Sequence, residues 1–145
     1  MSSKVPEILD ALQTRLQTVA PVYRALEGRA LPLDPKPTFP LIALRLGEDQ
    51  AGTKIIAASV VTLALVIEGV VEEEKGIFID AVLADLLWRI RTALVDIDET
   101  TPFDQLIHYG GLQFSTAIYG YPESGSQYAI VRQPITIRLT ETYRG

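Results

Sequence analysis

No cysteine occurs anywhere in the chain, and histidine occurs only once, at position 108. The first absence excludes disulfides and thiolate-bound zinc or iron–sulfur centres, and fits a reducing compartment. The second leaves His108 without a histidine or cysteine to share a metal. Catalytic motifs are missing too. The strained Gly-x-Ser-x-Gly elbow that would expose Ser115 or Ser124 as a nucleophile is absent. Gly110-Gly111 before a strand is too short for a phosphate-binding fingerprint, and neither Glu72, Glu73 and Glu74 nor the pair Asp96 and Asp98 has the spacing of a calcium loop. No catalytic residue, cofactor or metal is therefore expected. A basic, aromatic-studded face is also lacking, which disfavours nucleic-acid binding through bases or phosphates. The longest apolar stretch, Ile55 to Val71, is interrupted by Ser59, Thr62 and Glu68 and is rich in β-branched residues, so a buried strand is expected in place of a membrane span. The first ten residues lack the apolar core of an export signal. A soluble protein is expected.

What is present is apolar and unevenly charged. Hydrophobic residues make up 48% of the 145, charged residues 21%, a composition that predicts one domain over 1–145 around a single core. It is more apolar than a lone monomer of this size needs, which points to a part in an assembly. The net charge is −5, and Glu68 to Asp104 concentrates ten acids against the three bases Lys75, Arg89 and Arg91. Such a segment can be a solvated face that maintains solubility or a surface that meets a complementary partner.

The periodicity predicts an α+β domain: a mixed, mostly antiparallel sheet with an N-terminal helix and one long amphipathic helix packed on it. Ser2 or Ser3 can cap a first helix that tolerates Pro6 in its first turn and carries Ile8, Leu9, Leu12, Leu16 and Val19 on one stripe, ending at Pro21. A short strand over Val22 to Leu26 precedes a proline-rich connector from Leu31 to Pro40, expected to be a stiff arm. Leu41 to Leu46 is a strand closed by a polar turn from Gly47 to Gly52. From Ser59 to Val71 both faces are largely apolar until Glu68, so this strand lies inside the sheet or has its second face covered by another subunit. A second helix runs from about Ile77 to Leu94, with Ile79, Val82, Leu83, Leu86, Ile90 and Leu94 facing the core. Strand residues Leu112 to Tyr119, a turn over Pro122 to Gln127, and an antiparallel return from Tyr128 to Tyr143 complete the chain. Pro134 cannot donate a ladder hydrogen bond, so the last strand is an edge there or is bulged.

Trp88 stands about 180° from Ile79 on the second helix, beside Ala81, Ala84 and Thr92, on the side that faces solvent in a monomer. It is a candidate anchor for a partner, since tryptophan is enriched at interface hot spots. The alternative is a second core contact beneath a loop. Tyr119 and Tyr121, with His108 and Tyr109, form the only polar-aromatic cluster that a small-ligand-binding or enzymatic α+β domain could use. Tyrosines on exposed strands also mark interfaces.

The layout resembles the phage tail terminator family, the lambda-type minor tail protein U and its relatives. The residues that carry the resemblance are Val5-Pro-Glu-Ile-Leu-Asp-Ala-Leu12, Phe39-Pro-Leu-Ile-Ala-Leu-Arg-Leu-Gly-Glu-Asp49, the helix Phe78-Ile-Asp-Ala-Val-Leu-Ala-Asp-Leu-Leu-Trp88 and the closing Thr140-Glu-Thr-Tyr143. The resemblance covers nearly the whole chain, and related head–tail connector and tail-completion proteins share its order. It implies a structural virion protein of the tail or neck, assembled in the host cytoplasm. Such a protein forms a homohexameric ring that caps the tail tube, stops its polymerisation and joins it to the head or neck. No catalytic residues are carried over, and no membrane is involved. Its partners would be copies of itself, the tail tube protein and a neck or head-completion protein. DNA would pass through the lumen without specific binding, since carboxylates lining it would repel the duplex. Trp88, the edge at Pro134 and the two-sided strand are then candidate self-surfaces, together with Tyr119 and Tyr121. Glu48, Asp49 and the proline arm are candidates for tube or neck contacts.

Overall fold

A computed structural model describes residues 3–24, 38–52, 57–122 and 127–143. Most of the proline-rich connector and the centre of the turn after Pro122 lie outside these residues. The architecture is α+β. Its elements are α1 (Val5–Leu16), β1 (Val22–Arg24), β2 (Leu41–Ala51), β3 (Ala58–Glu72), α2 (Ile79–Leu94), a 3-10 turn (Ile97–Glu99), α3 (Phe103–Leu106), β4 (Leu112–Phe114), β5 (Ile118–Gly120) and β6 (Tyr128–Thr142). The sheet order is β1-β2-β3-β6-β4, with β5 also on β6. Among the described strands only the β1–β2 pair is parallel.

Both long helices pack on one face of the sheet. α1 buries Ile8, Leu12 and Leu16 completely, one residue per turn. It ends at Leu16, short of Pro21, because the next residues tighten into a turn in which the amides of Thr18 and Val19 bond to the carbonyls of Arg15 and Leu16. α2 buries Leu83, Leu86, Leu87, Ile90 and Leu94, while Ile79 and Val82 are only half-buried. Beneath them lie alternate residues of β3 (Val61, Leu63, Leu65, Ile67) and β6 (Val131, Ile135, Ile137, Leu139). The helix sits so close that a Cβ on Gly69 would lie 2.6 Å from a Leu86 methyl.

A buried carboxylate fixes the start of α1. Glu141, 5% exposed, accepts hydrogen bonds from the Ser3 hydroxyl (2.7 Å) and the Lys4 amide (3.2 Å), and the Ser3 oxygen in turn accepts from the Val5 amide (3.0 Å). Free helix amides are thus satisfied by the expected serine and by an acid that also complements the helix dipole. Glu141→Ala should lower stability by about 1–2 kcal/mol. Urea denaturation measures this, and an unchanged midpoint would refute the role.

Two expectations need correction. The Gly47–Gly52 segment is not a turn: β2 runs through it to Ala51, absorbing one extra residue as a bulge between Leu46 and Asp49. Glycine permits this because its backbone lies against the Ala64 carbonyl, 3.2 Å from where a Cβ would stand. Glu48 and Asp49 are therefore strand residues. Second, β6 is an interior strand around Pro134, lying from Ile130 to Ile137 between β3 and the β4–β5 edge. The bulge lies instead in the strand that faces Pro134, where the register shifts by one residue between Phe114 and Ile118.

Candidate assembly surfaces

Proline in an interior strand leaves a gap in the ladder, and this chain fills it with a side chain. In an antiparallel pair a residue's N–H and C=O point to the same neighbour. The Pro134 carbonyl accepts from the Ser115 amide (3.0 Å), so its missing N–H faces the Ser115 carbonyl. The side-chain amide of Gln133, fully buried on the helix side, takes that place: Nε2 donates to the Ser115 carbonyl (2.8 Å) and also to the Pro134 carbonyl (2.6 Å). Its Oε1 accepts from Arg91 Nε (2.8 Å), and the Arg91 guanidinium lies 5.9 Å from the centre of the Phe114 ring. Gln133 thus ties α2 to the break at 115–117.

This geometry locates Trp88. Arg91 lies three residues after it on the same side of α2, and Arg91 faces β4. Trp88 is 65% exposed, with Ala81, Ala84 and Thr92 also exposed. It is not a core contact. Phe114 and Tyr119, 39% and 40% exposed, stand opposite Ile135 and Val131 and so share the helix-side face of the sheet. The flank of the molecule thus combines an exposed tryptophan with an edge strand that presents Phe114, Tyr119 and, on the outer face, Ile118. Residues 111–122 contain no charged side chain.

The remaining candidates lie elsewhere. Tyr121 is exposed just beyond β5. Glu48 and Asp49 are exposed in distal β2, two strands beyond β6 in the sheet order. Pro134 is half-buried on the outer sheet face. The sites expected from the sequence are thus distributed over one flank and the opposite edge.

The polar-aromatic cluster is not assembled. Tyr109 precedes β4 and Tyr121 follows β5, so an extended stretch of roughly 30 Å separates them at strand rise. His108 is spent within the fold, its Nε2 paired with the Thr140 hydroxyl at 2.8 Å and its amide bonded to the Arg138 carbonyl. Tyr109 projects into solvent, and the neighbouring Glu99 carboxylate, by charge and hydrogen bond, holds its phenol above the ordinary value. A surface groove of about 630 Å³ lies between α1 and α3 against Asp10, Thr14, Arg15 and Pro102. It contains none of these residues. Among the described residues no group of acids and histidine is placed to hold a metal.

The outer sheet face carries a feature the sequence pattern did not signal. Glu68, 8% exposed, is paired with Arg45 and lies 3.6 Å from Arg132 Nε. It is flanked along its strand by half-buried Val66 and buried Val70. Glu68 therefore does not belong to the acidic surface, which is made by exposed residues such as Glu72, Glu73, Glu74, Asp80, Asp85 and Asp96. No described helix packs on this face.

Arg91, Phe114, Gln133 and Ser115 are the residues that sequence reasoning missed. A glutamine immediately before an in-strand proline is the signal available for them, since a buried amide beside a missing donor has a purpose. No protein-family model matches the chain, and no curated protein matches it. No helix among the described residues is long and apolar enough to cross a membrane.

Proposed function

We propose that the chain is a structural virion protein that forms a homohexameric ring on the end of the phage tail tube, terminates its polymerisation and joins it to the head or neck. One observation carries this proposal: among the described residues the sheet ends in two different unpaired edges on opposite sides, β4–β5 on one and distal β2 on the other. A ring closes through heterologous contacts, in which one patch meets a different patch on the next copy, so each subunit must offer two. Trp88 beside the β4–β5 edge supplies an aromatic anchor of the kind such contacts use. The dispersal of the polar-aromatic residues supports an assembly role over a ligand-binding one. Exposed carboxylates along 72–96 suit a lumen that lets DNA pass without adhering, and a neck or head-completion protein on the ring's far side.

The decisive measurement is mass photometry of the chain alone and with assembled tail tubes. Six-fold particles at tube ends are the expected result. Twelve-fold particles would indicate a head–tail connector, and a monomer indifferent to tubes would refute both. Trp88→Ala should leave the thermal midpoint unchanged while weakening subunit association by about 2 kcal/mol per contact, roughly thirty-fold in affinity. Lost stability with unchanged assembly would make Trp88 a folding residue only.

A further inference from the structure

The two unpaired edges match in level, direction and charge. Along the sheet, Leu46 stands opposite Leu65, which faces Ile135, which faces Phe114; Asp49 stands opposite Leu63, then Ile137, then Leu112. Distal β2 is therefore level with β4. Proximal β2 is already covered, because β1 pairs with Ile42 to Leu44, so beyond Leu44 β2 has no further partner among the described residues. Strand direction alternates from β2 through β3 and β6 to β4, so a β2 from a copy in the same orientation would run antiparallel to β4. Sheet edges facing water are ordinarily guarded by charged side chains or proline. This one has neither from Gly111 to Tyr121 and exposes Phe114, Ile118 and Tyr119.

Charge selects the occupant. Distal β2 offers Glu48 and Asp49 and no base between Leu46 and Gly52. The β4 edge is uncharged but flanked by exposed Arg91 on the helix side and exposed Arg138 on the outer side. Asp49, opposite Leu63, lies on the helix-side face, the face of Arg91.

We infer that distal β2 of one copy pairs antiparallel with the β4 edge of the next, Glu48 and Asp49 meeting Arg91 and Arg138, so that one sheet continues from subunit to subunit around the ring. The inference rests on the ring proposed above and specifies its contact. Main-chain bonds would supply the affinity and the charges the register.

The absence of native thiols makes the test clean. Leu46 and Phe114 are both exposed, share the helix-side face and stand level with each other across the sheet. Chains carrying Leu46→Cys and Phe114→Cys, mixed with tail tubes and oxidised, should yield a linked dimer that neither chain forms alone. Glu48, which with Gly47 faces Ala64 in the bulge, shares the outer face with Arg138, so Glu48→Lys and Arg138→Glu should each weaken association about tenfold, and mixing the two should restore it. Six-fold rings without the mixed link or the rescue would overturn the pairing and leave the ring intact. Links within the Leu46→Cys chain alone would mean a two-fold contact and overturn both. Particles that stay monomeric and unlinked at tube ends would overturn the ring and the pairing with it.

Discussion

Replacing Phe103 with alanine should lower stability by about 3–5 kcal/mol, the range for removing a buried aromatic ring and leaving a cavity. The ring is 2% exposed in the four-residue α3, which packs against α1. A helix of one turn has no stability of its own, so the segment from Ile97 to Ile107 holds its shape through its buried apolar residues, of which Phe103 is the largest. Denaturant midpoints should fall with the slope unchanged, and amide exchange should accelerate first between Ile97 and His108. A loss below about 1 kcal/mol would mean that the surrounding side chains collapse into the space. Because Trp88 lies on the far side of α2, tube-end binding by the fraction still folded should persist.

Phe103 also marks where the chain is legible and where it is not. Ile8, Leu12 and Leu16 repeat at helical spacing and are completely buried, and the stripe from Leu83 to Leu94 predicts both the α2 core face and the exposure of Trp88. Elements of many residues average over local exceptions. The stretch from Ile97 to Leu106 is too short for a period to show, and Pro102 within it reads as a break. Gly47 to Ala51 fails for a different reason: glycine and acids favour turns in isolation, and the long β3 alongside outweighs that preference. Of the candidate assembly residues, Trp88 and Tyr119 are brought to one flank. Glu48 and Asp49 became informative only through the register, which sets them level with β4. The Arg45–Glu68–Arg132 cluster joins residues from three strands, a proximity that spacing along the chain does not encode.

Gln133 provides the second large effect. Gln133→Ala removes the donor to the Ser115 carbonyl and the acceptor for Arg91 Nε, in a position with no solvent exposure. Its partners belong to the exposed residues Arg91 and Ser115, so each lost bond costs about 0.5–1.5 kcal/mol, and with the volume removed from a buried position the variant should lose about 2–3 kcal/mol. The cause can be separated from simple loss of volume. Pro134→Ala restores a backbone N–H pointing at the same Ser115 carbonyl, and in that background Gln133→Ala should cost about 0.5–1.5 kcal/mol less, a coupling that a double-mutant cycle reads directly. Zero coupling would show that the glutamine is not the substitute for the missing ladder bond. The cycle also bears on assembly. If Gln133 through Arg91 holds the β4–β5 edge beside α2, Gln133→Ala should weaken ring formation even where the fold survives. Pro134→Ala should recover part of that loss by pairing the same edge through the backbone.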